Sequence, residues 1–222
     1  MTPRELLATA RIPGGSEMKL YRRGPDHMIL VDRDELMSSR MSGSEEALAL
    51  LTAQRLGARS AQHWLIGGYG MGFTLRAALA ATPPDAHLTV AELVPEIIDW
   101  ANGPMTAMTG SGLADPRVTI TIGDVADMIA GGRATYDAIL LDVDNGPDGL
   151  VRDANDRLYS PAGLAAAKAA LTAGGILAIW SAAPDPRFAR RLAGAGFDVD
   201  QRTVRARSNG KGPRHTIWLA MG

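Results

Sequence analysis

The chain has 222 residues and a formal net charge of −1, which fits one sizeable α/β domain with a small appendage. That balance gives no electrostatic case for nucleic acid or an anionic membrane surface, and no apolar run approaches the ~18 residues of a spanning helix. There is no cysteine, which excludes disulfides and thiolate metal sites, and His27, His63, His87 and His215 lack ligand spacing, so no metal is expected.

Met1-Thr2-Pro3-Arg4-Glu5-Leu6-Leu7 carries an early charge pair and no long apolar core. It does not read as a secretion signal, and the expected address is the cytoplasm. Residues 1–18 read as an irregular or weakly helical lead. Lys19 to Arg23 and Met28 to Asp32, separated by Gly24-Pro25-Asp26, predict a β-hairpin. A helix is expected over Ser44 to Leu56, with Ser44 as its cap and Ala47, Leu48, Leu51 and Leu56 near one stripe. This divides the chain into a small β-lead (1–43) and a main domain (44–222).

From residue 62 the pattern alternates. Strands are predicted at 62–66, 87–91, 118–121, 137–142 and 176–180. Helices are predicted near 74–81, 95–102, 124–130, 161–171 and 185–194, with Gly174-Gly175 ending the fourth. A long loop over 143–160 holds several charged residues and has the length of a lid. The last strands, 197–204 and 216–220, have no helix between them; they form a hairpin, so one of them runs antiparallel. The stretch between them, with Arg202, Arg205, Arg207, Lys211 and Arg214, reads as a solvated loop. A mostly parallel, doubly wound, seven-stranded sheet with a C-terminal antiparallel hairpin matches the Rossmann-like class I methyltransferase fold better than the nicotinamide-dehydrogenase fold.

The most informative segment is Gly67-Gly68-Tyr69-Gly70-Met71-Gly72, a glycine-rich turn between the first of these strands and its helix. Glycines let backbone approach a ligand closely, and the helix start adds favourable N–H groups. Glu92 follows about 20 residues later at the end of the next strand, where a Rossmann-like fold holds a ribose. An adenosine-type cofactor is therefore expected. Asp142 and Asp144 flank the crevice at the strand ends. Two close carboxylates raise each other's proton affinity and attract a cationic amine, which suits a base near neutral pH.

Taken together, Ile66-Gly67-Gly68 with Gly72, Glu92 with Pro95, Gly123-Asp124, Tyr136 to Asp142, Leu158-Tyr159-Ser160 and Gly174 to Leu177 resemble the spermidine synthase-like family of class I S-adenosylmethionine-dependent methyltransferase-fold proteins. The resemblance covers about 28–181. It implies a cofactor site made of the turn (Gly67, Gly68, Tyr69, Gly70, Gly72), the ribose carboxylate Glu92 with Leu93, and Asp124 with Val125 at the adenine. It also implies that Asp142 borders the cofactor and assists deprotonation of the acceptor. Asp144 and Tyr159 complete the expected catalytic set, Tyr159 against the acceptor.

The departures concern specificity. The synthases carry an aspartate at the position of Gly70, facing the aminopropyl ammonium of decarboxylated S-adenosylmethionine. They carry Tyr-His-Glu before the first main helix, where this chain has Arg40-Met41-Ser42-Gly43-Ser44-Glu45-Glu46. Their second aspartate after the fourth strand falls three residues on, whereas Asp144 falls two after Asp142. These differences lead to an expectation of methyl transfer from S-adenosylmethionine to a small-molecule amine or hydroxyl acceptor. The alternatives are aminopropyl transfer in polyamine biosynthesis, using the decarboxylated cofactor, and a non-catalytic cofactor-binding module. Relatives of this kind often pair as homodimers; length, polarity and charge are equally compatible with a monomer.

Overall fold

A computed structural model of the chain describes residues 3–143 and 156–222. The chain opens on four antiparallel strands, β1 (Glu5–Arg11), β2 (Glu17–Arg23), β3 (Asp26–Val31) and β4 (Asp34–Ser38), hydrogen-bonded in that order. The hairpin expected at 19–32 is the middle of this sheet. The irregular lead expected at 1–18 is instead β1 and the start of β2. β1 escapes sequence reading because it is an edge strand, mostly exposed or half-buried, so its alternate positions carry no consistent apolar signal. Leu20, Ile29 and Val31 share a core cluster with Leu48 and Trp64, which ties the small sheet to the rest of the chain.

Helix α1 (Gly43–Leu56) follows. Ser44 does not cap it: the helix starts one residue earlier, and the cap position, Ser42, makes no side-chain cap bond. The backbone N–H of Gly43 donates to the Ala206 carbonyl at 2.9 Å, so a long-range contact supports this end. Ser44 is thereby freed for a different role.

The alternating region runs β5 (His63–Gly67), α2 (Phe73–Ala81), β6 (His87–Glu92), α3 (Pro95–Asn102), α4 (Thr106–Thr109), β7 (Val118–Ile122), α5 (Val125–Gly131) and β8 (Tyr136–Leu141). It continues with α6 (Asp156–Tyr159), α7 (Pro161–Ala170), β9 (Leu171–Ser181), α8 (Pro186–Gly194), β10 (Asp198–Arg205) and β11 (Arg214–Met221). The seven strands of this sheet lie in the order β10-β11-β9-β8-β5-β6-β7. β5 to β9 pair in parallel, and β11 is antiparallel to both β9 and β10. The central strands are apolar on both faces: Trp64, Leu65 and Ile66 on β5 and Ala138, Ile139 and Leu140 on β8 are fully buried.

One boundary differs from expectation. Gly174-Gly175 does not end a helix but lies inside β9, which starts at Leu171. The β8–β9 register shifts between Tyr136 and Ala138. There Asp137 ties the two strands to β5, accepting from the His63 N–H at 2.9 Å and the Thr172 hydroxyl at 2.9 Å. Of the basic stretch, Arg202 pairs with Asp200 at 2.8 Å and Arg205 donates to the Gly212 carbonyl at 3.1 Å. Among the described residues no helix is long and apolar enough to cross a membrane.

Candidate active site

The order of strand addition reverses between the parallel neighbours β5 and β8, and the helices that follow them, α2 and α7, pack into different core clusters. Open α/β sheets leave a crevice at the carboxyl ends of such strands. Here each of these ends delivers polar groups: β5 the glycine turn, β6 Glu92, β7 Gly123-Asp124, β8 Asp142 and β9 Trp180. Together they line one cavity, with Ile12, Met18, Ile29, Leu36 and Met37 of the amino-terminal sheet as its apolar wall.

Gly68 and Gly70 show why the turn needs glycine. Gly68 has φ +85°, and a Cβ there would lie 2.7 Å from the Asp142 carbonyl oxygen. β5 and β8 could not then stay this close. Gly70 has φ +54°, and its Cβ would meet the Met37 sulfur and methyl at 2.9 Å. A methionine from β4 thus covers the position where the synthases carry a carboxylate. Gly72 instead makes room for the Tyr69 ring.

Glu92 is buried. Its carboxylate accepts from the backbone N–H groups of Tyr69 and Val94, each at 2.8 Å. Burial pushes its pKa up, opposed by these N–H groups. Glu92 therefore fixes the glycine turn as well as facing the cavity. Asp124 caps α5: one oxygen accepts from the Ala126 N–H at 2.9 Å, and the other pairs with Arg157 at 2.7 Å.

Asp142 follows β8 and accepts from the Thr74 hydroxyl on α2 at 2.8 Å. Its low-dielectric surroundings push its carboxyl up to about 6. Glu45 of α1 lines the same cavity, its backbone carbonyl 3.4 Å from the Thr74 hydroxyl that also reaches Asp142. Burial, and then the charge of Asp142, push its carboxyl up to about 8. At neutral pH this pair of carboxyls carries one proton between them, an arrangement suited to passing protons to and from an amine. The Ser44 hydroxyl donates to Glu45 at 2.7 Å and lies 2.8 Å from His215 Nδ1.

The structure thus brings Gly68, Gly70, Glu92, Leu93, Asp124, Val125 and Asp142 round one cavity. Gly67, Tyr69 and Gly72 stand behind it as turn framework. Tyr159 is not against the cavity: it is buried in the second core cluster, edge-on to Phe188 at 5.5 Å, because its short helix packs its apolar face inward. Asp144 and most of the long loop lie outside the described residues. Trp180 near the end of β9 lines the cavity.

Sequence reading misses Glu45, Thr74 and the Ser44–His215 contact. Glu45 and Glu46 are adjacent on a helix, so which of them points inward depends on the helix phase. His215 lies 171 residues from Ser44, and only the β9–β11 pairing brings them together.

The Glu45 proton has a measurable consequence. Its folded value of about 8 exceeds its ordinary 4.5, so between these pH values the folded chain holds a proton that the unfolded chain has released. Stability then falls as pH rises through that window. Urea unfolding of the wild type should show a loss on the order of a few kcal/mol between about pH 5 and about pH 9. Glu45→Gln should flatten that fall, and equal slopes for both proteins would contradict the assignment.

Comparison with known proteins places this geometry. No protein-family profile matches the chain. It is similar to the polyamine aminopropyltransferase of Corynebacterium efficiens, at 36% identity over 146 residues, covering 62% of this chain and 27% of that protein. It is also similar to the polyamine aminopropyltransferase of Mycobacterium tuberculosis, at 29% identity over 171 residues, covering 76% of this chain and 31% of that protein. The chain thus spans about a third or less of the length of these curated relatives. Among solved structures, the spermidine synthase of Thermotoga maritima superposes with a TM-score of 0.76 at 17% identity, covering 97% of this chain and 72% of that one. A spermidine synthase in complex with the transition state analogue AdoDATO gives 0.75, with the same identity and coverage. At such identity these likenesses establish the fold. The comparisons correct the expectation of methyl transfer: the named sequence relatives are polyamine aminopropyltransferases, the reading held as the alternative.

Proposed function

We propose that this chain, which has the spermidine synthase-like form of the class I methyltransferase fold, transfers an aminopropyl group from decarboxylated S-adenosylmethionine to an amine. The observation that carries this reading is the charge of the cavity. Its ionisable lining residues are Glu45, Glu92, Asp124 and Asp142, and neither lysine nor arginine is among the described lining residues. A cofactor tail ending in an ammonium is attracted there; one that also bears a carboxylate meets no lysine or arginine among the described lining residues, Arg157 standing behind Asp124 in an ion pair.

The same observation explains why Gly70 misleads. The missing carboxylate of the turn is not replaced one for one: Glu45 enters from α1 and shares a proton with Asp142, and the pair keeps a negative charge beside Glu92 and Asp124. Glu92 and the glycine turn would hold the ribose and the sulfonium side. Asp124 would face the adenine amino group, for which Arg157 must yield or share an oxygen.

In the reaction, the acceptor nitrogen attacks the aminopropyl carbon attached to the sulfonium. An N–C bond forms, the C–S bond breaks, and the thioether methylthioadenosine leaves. The attacking amine must first lose its proton, which Asp142 is placed to take. The test is product analysis by mass spectrometry. Incubation with decarboxylated S-adenosylmethionine and a linear diamine should yield methylthioadenosine and an amine heavier by one aminopropyl unit. No such product, with folded protein, would overturn the reading.

A further inference from the structure

The site has a second side that the transfer step does not itself use. Behind Glu45 stand Ser44, fully buried, and His215, half-buried on β11. The spacings are 2.7 Å from the Ser44 hydroxyl to Glu45 and 2.8 Å to His215 Nδ1. The His215 ring sits edge-on to Trp180 at 4.7 Å, so the indole that lines the cavity also holds the imidazole. These contacts join three elements far apart in sequence, α1, β9 and β11, behind one carboxyl of the cavity.

We propose that Ser44 and His215 form a proton exit from this carboxyl pair, leading from the cavity to solvent at the imidazole. The inference rests on the aminopropyl-transfer reading. That reaction releases a proton from the acceptor amine in each turnover, and the proton must leave an enclosed acidic site.

The ammonium of the acceptor gives its proton to Asp142. The proton already on Glu45 passes to the Ser44 oxygen while the Ser44 hydroxyl proton passes to His215 Nδ1. The imidazolium so formed releases its Nε2 proton to water. Serine is again a hydroxyl, Glu45 is left ionised with the proton on Asp142, and His215 is left as the Nδ1 tautomer, which returns to the Nε2 tautomer by proton exchange with water before the next turnover.

The ionisable surroundings are few. Asp142 after β8 and Glu46 on the same helix act on Glu45. Thr74 on α2 is neutral. His215 is faced by Trp180 from β9 and pairs with Val204 of β10, and its own chain neighbour Arg214 is exposed. Burial lowers the pKa of His215, which keeps the imidazole neutral and ready to accept a proton. In this chain His215 is a positioning and relay residue, since it reaches the reacting atoms only through Ser44 and Glu45.

The relay has a readout independent of turnover. With Glu45 protonated, the carboxyl donates to Ser44, Ser44 donates to Nδ1, and His215 carries its proton on Nε2. With Glu45 ionised, Ser44 donates to the carboxylate and His215 donates from Nδ1. Nitrogen NMR of histidine-labelled protein should therefore show His215 switching tautomer as Glu45 titrates, and Glu45→Gln should abolish the switch. A tautomer constant through that range, or a switch that persists in Glu45→Gln, would overturn the proposal.

The activity arm uses decarboxylated S-adenosylmethionine and a linear diamine. Ser44→Ala should lower kcat by about tenfold or more with KM nearly unchanged, and Ser44→Thr, which keeps the hydroxyl, should recover most of it. A wild-type kcat in Ser44→Ala would equally overturn the relay. If the wild type itself gives no product, the aminopropyl reading fails, while the tautomer measurement still decides whether the relay exists.

Discussion

Asp142→Asn should lower kcat by about 100-fold or more, with cofactor affinity changed by no more than a few-fold. Asparagine has the shape of aspartate, and its carbonyl can still accept the Thr74 hydroxyl that Asp142 receives at 2.8 Å. The loop and the β5–β8 contact are therefore preserved. What is lost is a carboxylate able to take a proton at neutral pH, since its carboxyl sits near 6. The substitution also removes a charge that raises Glu45, so the proton on Glu45 should come off at lower pH. Two measurements check this: kcat of the variant at several pH values, and the pH dependence of its stability. A variant within threefold of wild type would remove Asp142 from the chemistry.

Glu92→Ala should have the second largest effect, and it should act on binding and stability together. The carboxylate is buried and holds the Tyr69 and Val94 N–H groups at 2.8 Å each. Truncation leaves both donors unpaired, at roughly 1–3 kcal/mol each. It also removes the carboxylate proposed to hold the ribose, so calorimetry should show nucleoside cofactor affinity reduced by about 100-fold. Glu92→Gln separates the two roles. It keeps one acceptor oxygen but turns an amide N–H toward a backbone N–H. It should keep more of the fold than Glu92→Ala while still weakening cofactor binding. Unchanged affinity in both variants would make Glu92 a structural brace alone.

The parts of this molecule that were legible in sequence are those with local signatures. β5 and β8 read clearly because strands buried on both faces are continuous apolar runs. Glu92, Asp124 and Asp142 read clearly because each follows or ends a parallel strand at its carboxyl end, where spacing sets its position. The amino-terminal sheet was half legible: β2 and β3 carry apolar residues flanking a turn, whereas β1 at the edge has no regular face.

What depended on tertiary contact was not legible. Ser44 reads as a helix cap from its neighbours, yet the Ala206 carbonyl satisfies the adjacent Gly43 N–H and Ser44 turns to Glu45 and His215. Tyr159 reads as an acceptor contact from its place after a long loop, yet it packs on Phe188. Gly70 was read as decisive for the cofactor because sequence comparison sees one position at a time. The charge of a cavity is a sum over residues from several elements, and Glu45 joins that sum only once α1 is docked.

A cavity whose described lining holds carboxyls and no lysine or arginine should select a cofactor whose tail has lost its carboxylate. Calorimetric titration of the protein with decarboxylated S-adenosylmethionine and, separately, with S-adenosylmethionine tests it most directly. The decarboxylated form should bind more tightly by about tenfold or more, the equivalent of ~1.4 kcal/mol. Equal affinity, or tighter binding of S-adenosylmethionine, would contradict it.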